Sequence, residues 1–374
     1  MNVLFYISSL RCGGAERVAS TLLREWVKGG HNITLVTSAP PATDYFAVPA
    51  QVSRISLDLT YGAASLPVKV IRNLRRIFVL RKAIRNAAPS IIVSFMDGNN
   101  VIAILAALGS RIPIVISERS DPTREGIPWA WTFLRRLTYP RAALLVVQSR
   151  MQQEWARSNF PSLKSLVIPN PLGVDPTAGA ATSDRIAAVP HGNRPQVILT
   201  VGRLAPEKQI DKLIGIFERF SDTQPGWRLQ IVGDGSERHV LEKLISASRH
   251  GSWIELLGAT KDPSSYYSNA RIYVMCSRFE GFPNSVIEAM AFGAAPIGFN
   301  CAECLSDIIE NGFSGIIVQP DDWDGLLKSI SEFATDANSQ ARISLAASRR
   351  GRSFSATVVS NQWLQAMSSL GKAI

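Results

Sequence analysis

Two glutamates eight positions apart, Glu280 and Glu288, bracket a stretch whose residue types could do chemistry on a phosphorylated substrate. Gly281, Phe282, Pro283, Asn284 and Ser285 lie between them. Where a loop runs into a helix, the first backbone N–H groups lack intrahelical partners and can hold an anion. Glu288 would then take the hydroxyls of a ribose, and Glu280 would lie near a sugar. Two cations suit the same chemistry. Arg203 offers a guanidinium fork and Lys208 an ammonium point charge, and together they could neutralise a diphosphate. Taken singly, each feature has a plainer reading, as the solvated surface groups of ordinary strand–loop–helix units.

The elements that must position these residues follow from pattern. Residues 272–276 form a short apolar run with β-branched and aromatic members, a buried strand. Ser277 to Pro283 reads as a loop and Asn284 to Phe292 as a helix, with Pro283 at its first position and Gly293 at its C-terminal cap. Asn284 and Glu288 then share one helix face. Val197 to Val201 reads as a strand whose following loop carries Gly202, Arg203 and Lys208. Such loops face the carboxyl ends of a parallel sheet, where α/β proteins bind ligands. The first half has the same alternation: strand Val3 to Ile7, helix Ala15 to Lys28 and strand Ile33 to Thr37, with Gly13 and Gly14 at the strand-to-helix turn. The alternation predicts an α/β protein. Its expected parts are an N-terminal domain at 1–172, a linker at 173–195, a second domain at 196–353 and a final helical segment at 354–374 that crosses back to the first.

The string Ser-Arg-Phe-Glu-Gly-Phe-Pro-Asn-Ser-Val-Ile-Glu-Ala-Met-Ala-Phe-Gly, from Ser277 to Gly293, resembles the donor-site signature of family 4 retaining glycosyltransferases. Gly-Arg-Leu-x-x-Glu-Lys-x-x-Asp from Gly202 resembles that family's diphosphate motif, with Gln209 where a glycine is usual, and Gly-Gly-Ala-Glu-Arg from Gly13 resembles its first loop. The resemblance implies the GT-B fold, two doubly wound Rossmann-like domains facing across a cleft. It implies a nucleoside diphosphate sugar as co-substrate, UDP foremost. Donor binding falls to Gly13, Gly14, Gly202, Arg203, Lys208, Gly281, Phe282, Pro283, Asn284, Ser285 and Glu288, and catalysis to Arg203, Lys208 and Glu280. No metal cofactor is expected, because the donor motifs hold no Asp-x-Asp element. Many members carry a histidine after the strand Ile114 to Ser117. Here Glu118 and Arg119 stand instead, resembling a family sub-pattern; Arg119 could bind the donor or the acceptor diphosphate with Glu118 orienting it, and both are candidate acceptor ligands together with Glu16 and Arg17. A structural salt bridge is the competing reading for Glu118 and Arg119.

Charge distribution bears on the acceptor. The chain of 374 residues carries a net +10, yet residues 1–170 hold 21 Lys and Arg against 9 Asp and Glu, a net +12. The basic half therefore suits an anionic partner. From Leu66 to Arg85, apolar Leu66, Val70, Leu74, Ile77, Phe78 and Ile84 recur at helical spacing, with Arg72, Arg75 and Arg76 among the basic residues elsewhere. This is a basic amphipathic helix, suited to a membrane interface or lipid head groups, or else an ordinary domain helix with its apolar face in the core. Trp129 to Tyr139 mixes aromatics with Arg135 and Arg136 and reads in the same two ways. An anionic membrane surface and a polyprenyl diphosphate-linked saccharide are the expected partners, at the cytoplasmic face of a bacterial membrane, with Arg72, Arg75 and Arg76 near the acceptor. No recognisable module points to nucleic acid. No stretch reaches the roughly 18 apolar residues of a membrane span, and the first residues lack a basic leader. The lone pair Cys301 and Cys304 gives no metal or disulfide framework. An epimerase on the same fold and a non-catalytic nucleotide-binding scaffold remain alternatives.

Overall fold

The computed structural model describes residues 1–59, 65–120, 128–174, 176 and 194–371. Most of the expected linker lies outside these residues, as does the chain just after Ser120. The protein divides into two compact units, Met1–Gly173 with Ala356–Ile374, and Val174–Ser355.

Among the described residues the first unit builds a seven-stranded parallel sheet. Its strands are β1 (Asn2–Ile7), β2 (Asn32–Thr37), β3 (Ser53–Ser56), β4 (Ile91–Phe95), β5 (Ile114–Ser117), β6 (Leu144–Val147) and β7 (Ser165–Val167), in the order β3-β2-β1-β4-β5-β6-β7. Val3 pairs with Ile33 on one side and Ile91 on the other, so β1 is central. Alternate residues of a strand face opposite ways, and here both ways are core. Val3, Phe5 and Ile7 pack beneath α1 (Gly14–Lys28) and α12 (Ala356–Gly371), while Leu4 and Tyr6 pack beneath α2 (Leu66–Ala87) and α3 (Asp97–Ala107). That double burial explains a continuous apolar run in place of an alternating one. Trp363 of α12 lies 6.3 Å from Trp26 and 5.7 Å from Phe95, ring to ring, which ties the chain's last helix to its first unit.

The second unit repeats the plan with six parallel strands: β8 (Val197–Val201), β9 (Arg228–Val232), β10 (Ile254–Gly258), β11 (Ile272–Met275), β12 (Ala295–Phe299) and β13 (Ile316–Val318), in the order β10-β9-β8-β11-β12-β13. In both sheets the strand order reverses direction once, at β1/β4 and at β8/β11. Such switch points open a crevice at the carboxyl ends of the strands. The loops after β8 and β11 are those carrying Arg203, Lys208 and Glu280. Gly233, after β9, has φ +150°, and a side chain there would run into the carbonyl of Gly202. The backbones touch, which fixes the loop that follows β8.

Two helices of the first unit depart from the simplest expectation. In α2, Leu80, Ala83 and Ile84 enter the core, but Ile71 and Phe78 are 65% and 66% exposed, and Val70 and Leu74 are exposed with them. In α4 (Trp129–Thr138), Trp129 is 81% exposed, with Phe133 and Leu137 exposed along the same face, while Arg135 is buried. Neither of the two readings of this stretch holds throughout: Arg135 is inside and Arg136 outside, Trp129 and Phe133 are out, and Trp131 and Tyr139 pack inward. Among the described residues, no helix is long and apolar enough to cross a membrane.

Candidate active site

At the tips of β8 and β11 lies a small open crevice lined by Gly202, Lys208, Tyr273, Ser277, Glu280 and Ser285 among others. Lys208 ends a short 3₁₀ turn, Pro206–Lys208, and its ammonium pairs with the Glu280 carboxylate. Glu280 Oε1 also accepts from Ser277 Oγ at 3.0 Å. The Glu207 carbonyl accepts from the Arg278 amide at 2.8 Å, a direct tie between the two loops. Beneath them the Cys276 thiol donates to the Lys208 carbonyl at 3.2 Å, and burial pushes its pKa up to about 12, so it stays a neutral donor. Gln209 takes a left-handed conformation at φ 52° in the place of the family's usual glycine. Arg203 stands largely in solvent against Glu207 at 2.8 Å.

Helix α9 (Asn284–Ala291) begins at Asn284 as expected and ends one residue early, with Pro283 at the N-cap and not in the first helical position. Ser285 lies in its first turn, at the pocket. Phe282 turns inward toward Phe354, so Phe282 and Pro283 shape the loop and leave the polar contacts to their neighbours. Glu288 is buried within the same helix, its Oε2 accepting from Tyr267 at 2.9 Å. The structure thus brings together Gly202, Lys208, Glu280 and Ser285, while Glu288 is held one turn deeper.

In the first unit, Gly13 precedes α1 in extended backbone that any residue could adopt, and Gly14 begins the helix. Glu16 is partly buried, and desolvation raises its pKa. Arg17 packs so closely on Gly173 that a side chain there would collide with its guanidinium. Two acceptor-side expectations need correction. Glu118 does not orient Arg119: it is buried, pairs with Arg135 at 2.8 Å and accepts from the Tyr139 hydroxyl. Arg76 points inward, its Nη2 donating to the Tyr6 hydroxyl (3.0 Å), Ser38 Oγ (3.1 Å) and Asn99 Oδ1 (3.1 Å). Of its neighbours on α2, Arg75 is exposed and Arg72 half-buried.

Arg119 is the unusual group. Its guanidinium carbon sits 3.8 Å from the centroid of Phe95 and 5.6 Å from that of Trp363. Nη1 donates to Asn170 Oδ1 at 2.7 Å, but Nε and Nη2 are closed off from solvent without a hydrogen-bond partner among the described residues. Desolvation of this half-buried guanidinium lowers its pKa to about 9. Sequence reasoning passed over Asn170, Trp363, Tyr267 and Tyr273. A polar residue between two prolines at Asn170 was the one local signal among them. Cys301 and Cys304 lie 3.7 Å apart, Sγ to Sγ, and no group of three metal-ligating side chains occurs among the described residues.

Two family models match this chain. One describes the glycosyl transferases group 1 and covers residues 183–350; the other, a glycosyl transferase 4-like domain, covers residues 13–171. A Campylobacter jejuni relative is 26% identical over the full length of both chains. Its name is GalNAc-alpha-(1->4)-GalNAc-alpha-(1->3)-diNAcBac-PP-undecaprenol alpha-1,4-N-acetyl-D-galactosaminyltransferase. The sucrose-phosphate synthase structure from Thermosynechococcus elongatus superposes with a TM-score of 0.82 at 16% identity, covering all of both chains. Anabaena Alr3699/HepE in complex with UDP gives 0.76 at 17% identity, covering 99% of this chain and 100% of that one. These structural likenesses show the fold. With the pocket placed by that fold and both halves of the chain matched by glycosyltransferase models, the protein is a glycosyltransferase of the GT-B fold, family 4 type.

Proposed function

We propose that this glycosyltransferase takes a hexose or N-acetylhexosamine from a UDP-sugar and passes it, with retention and without a metal, to a polyprenyl diphosphate-linked saccharide. The observation that carries the donor half is the convergence of Lys208, Glu280 and the first turn of α9 on one pocket at the β8/β11 switch point. Charge builds on the departing diphosphate as the glycosidic bond breaks, and preorganised positive groups lower that barrier. Lys208 and Arg203 supply the cations, and the amides from Gly281 to Ser285 supply dipoles. Glu280 lies beside the sugar, where its carboxylate favours the positive charge of an oxocarbenium-like centre. The leaving phosphate oxygen takes the acceptor proton, so the reaction needs no separate side-chain base. Glu288 anchors the ribose.

For the acceptor, Arg119 provides an incompletely compensated cation whose free N–H groups suit a diphosphate. The C. jejuni relative, by its name, acts on an undecaprenyl diphosphate-linked saccharide. The apolar faces of α2 and α4, with Arg75 and Arg136 near them, suit the cytoplasmic surface of an anionic membrane. The test is nucleotide release from a panel of UDP-sugars, with and without a synthetic polyprenyl diphosphate saccharide in vesicles. Release that depends on the lipid and vanishes in Lys208→Ala is expected. UDP binding without turnover would favour the scaffold, and interconversion of the sugar without any acceptor would favour an epimerase.

A further inference from the structure

We propose that Tyr273 is a positioning residue for the diphosphate of the nucleotide sugar, acting through Ser285. The inference rests on the donor-site reading above and deepens it. Tyr273 lies on β11, almost fully buried, and its hydroxyl reaches two groups on different elements. It is 2.6 Å from Ser285 Oγ in the first turn of α9 and 3.3 Å from the carbonyl of Val201, the last residue of β8. One phenol thus spans the two halves of the phosphate seat: the loop with Arg203 and Lys208, and the helix start with Ser285.

Distance gives this bridge a direction, because the phenol has one proton and two acceptors within reach. Burial raises the phenol's pKa, so it remains a donor. The shorter contact is to Ser285. If the phenol donates there, Ser285 keeps its own hydroxyl proton for the pocket. A serine whose oxygen is already satisfied from below presents its O–H to whatever anion lies above. Tyr267 repeats the device one turn along the same helix, donating to Glu288, with its ring centroid 6.2 Å from that of Tyr273. The polar face of α9 is therefore held from beneath by two tyrosines, one under the residue assigned to phosphate and one under the residue assigned to ribose. Phenylalanine would fill the same space at Tyr273 and lose only the hydroxyl.

The experiment is calorimetric titration of UDP into the wild type, Tyr273→Phe, Ser285→Ala and the double variant, with circular dichroism to confirm folding. Tyr273→Phe should weaken UDP by about three- to tenfold, the range of one hydrogen bond. Ser285→Ala should lose as much, and the double variant no more than Ser285→Ala alone, because the two act as one unit. In turnover, the donor KM should move and kcat should not. Ser285→Thr keeps a hydroxyl and should retain affinity, which tests the Ser285 half even where Tyr273→Phe fails to fold. UDP affinity within twofold of wild type in Tyr273→Phe, fully multiplying losses in the double variant, or equal affinities for Ser285→Thr and Ser285→Ala would each overturn the inference. A wild type that binds none of UDP, ADP, GDP or TDP would instead overturn the donor reading, and this inference with it.

Discussion

Glu118 and Arg119 are adjacent in the chain just beyond the same strand, one buried and one half-buried, and treated in opposite ways. Glu118 has a cation and a phenol within hydrogen-bonding distance. Arg119 has one amide oxygen, two aromatic faces and two unmet donors. The contrast teaches how to separate a structural charge from one kept for a partner. A folded protein satisfies the charges it needs for its own stability. Arg119, half-buried, keeps two donors that no group among the described residues meets. The pocket of the second unit lies between these extremes: Lys208 and Glu280 satisfy each other now, and a phosphate would compete for the lysine.

The sharpest way to break this contrast is stability. Glu118→Ala leaves Arg135 buried and unpaired and should cost about 3–5 kcal/mol in denaturant unfolding. Arg119→Met should cost nothing or stabilise, since it removes an uncompensated charge from an aromatic slot. Comparable losses in both variants would end the distinction. Next in size, Lys208→Ala should lower kcat/KM by about 10²–10³-fold, the scale of one preorganised group at a developing charge. A smaller effect belongs to the outer faces of α2 and α4: Phe78→Ser with Trp129→Ser should reduce partition onto anionic vesicles by about tenfold or more. Added salt should weaken the remaining binding, and unchanged partition would remove the membrane from the account. Smallest of all, Arg203→Ala should shift stability by less than about 0.5 kcal/mol, since an exposed pair with Glu207 contributes little. A clear loss of transfer in that variant, against so small a stability change, would mark Arg203 as functional.

Much of this was legible in the residues. The central strands announce themselves because both faces are buried and nearly every position must be apolar, as at Val3 to Ile7. The donor loops were legible because their glycines, proline and charged residues fall at fixed offsets after such strands. Orientation was less so. Periodicity groups Val70, Leu74 and Phe78 on one helical face, but it does not say whether that face meets the core or solvent; here Leu80 and Ile84 meet the core, and the earlier part of the helix does not. Partners distant in sequence were also hidden. Nothing local to Arg135 points to Glu118, nothing local to Trp363 places it over Arg119, and Tyr273 reads as one more strand aromatic until its hydroxyl is seen against Ser285.

The most direct test is initial-rate kinetics with both substrates varied, in the wild type, Lys208→Ala and Arg119→Ala. The account predicts that Lys208→Ala damages kcat/KM for the donor, while Arg119→Ala raises the acceptor KM about tenfold or more and leaves UDP affinity unchanged, because the arginine answers to the acceptor's diphosphate. An Arg119→Ala enzyme with normal acceptor KM, or with donor and acceptor parameters shifted alike, would contradict it.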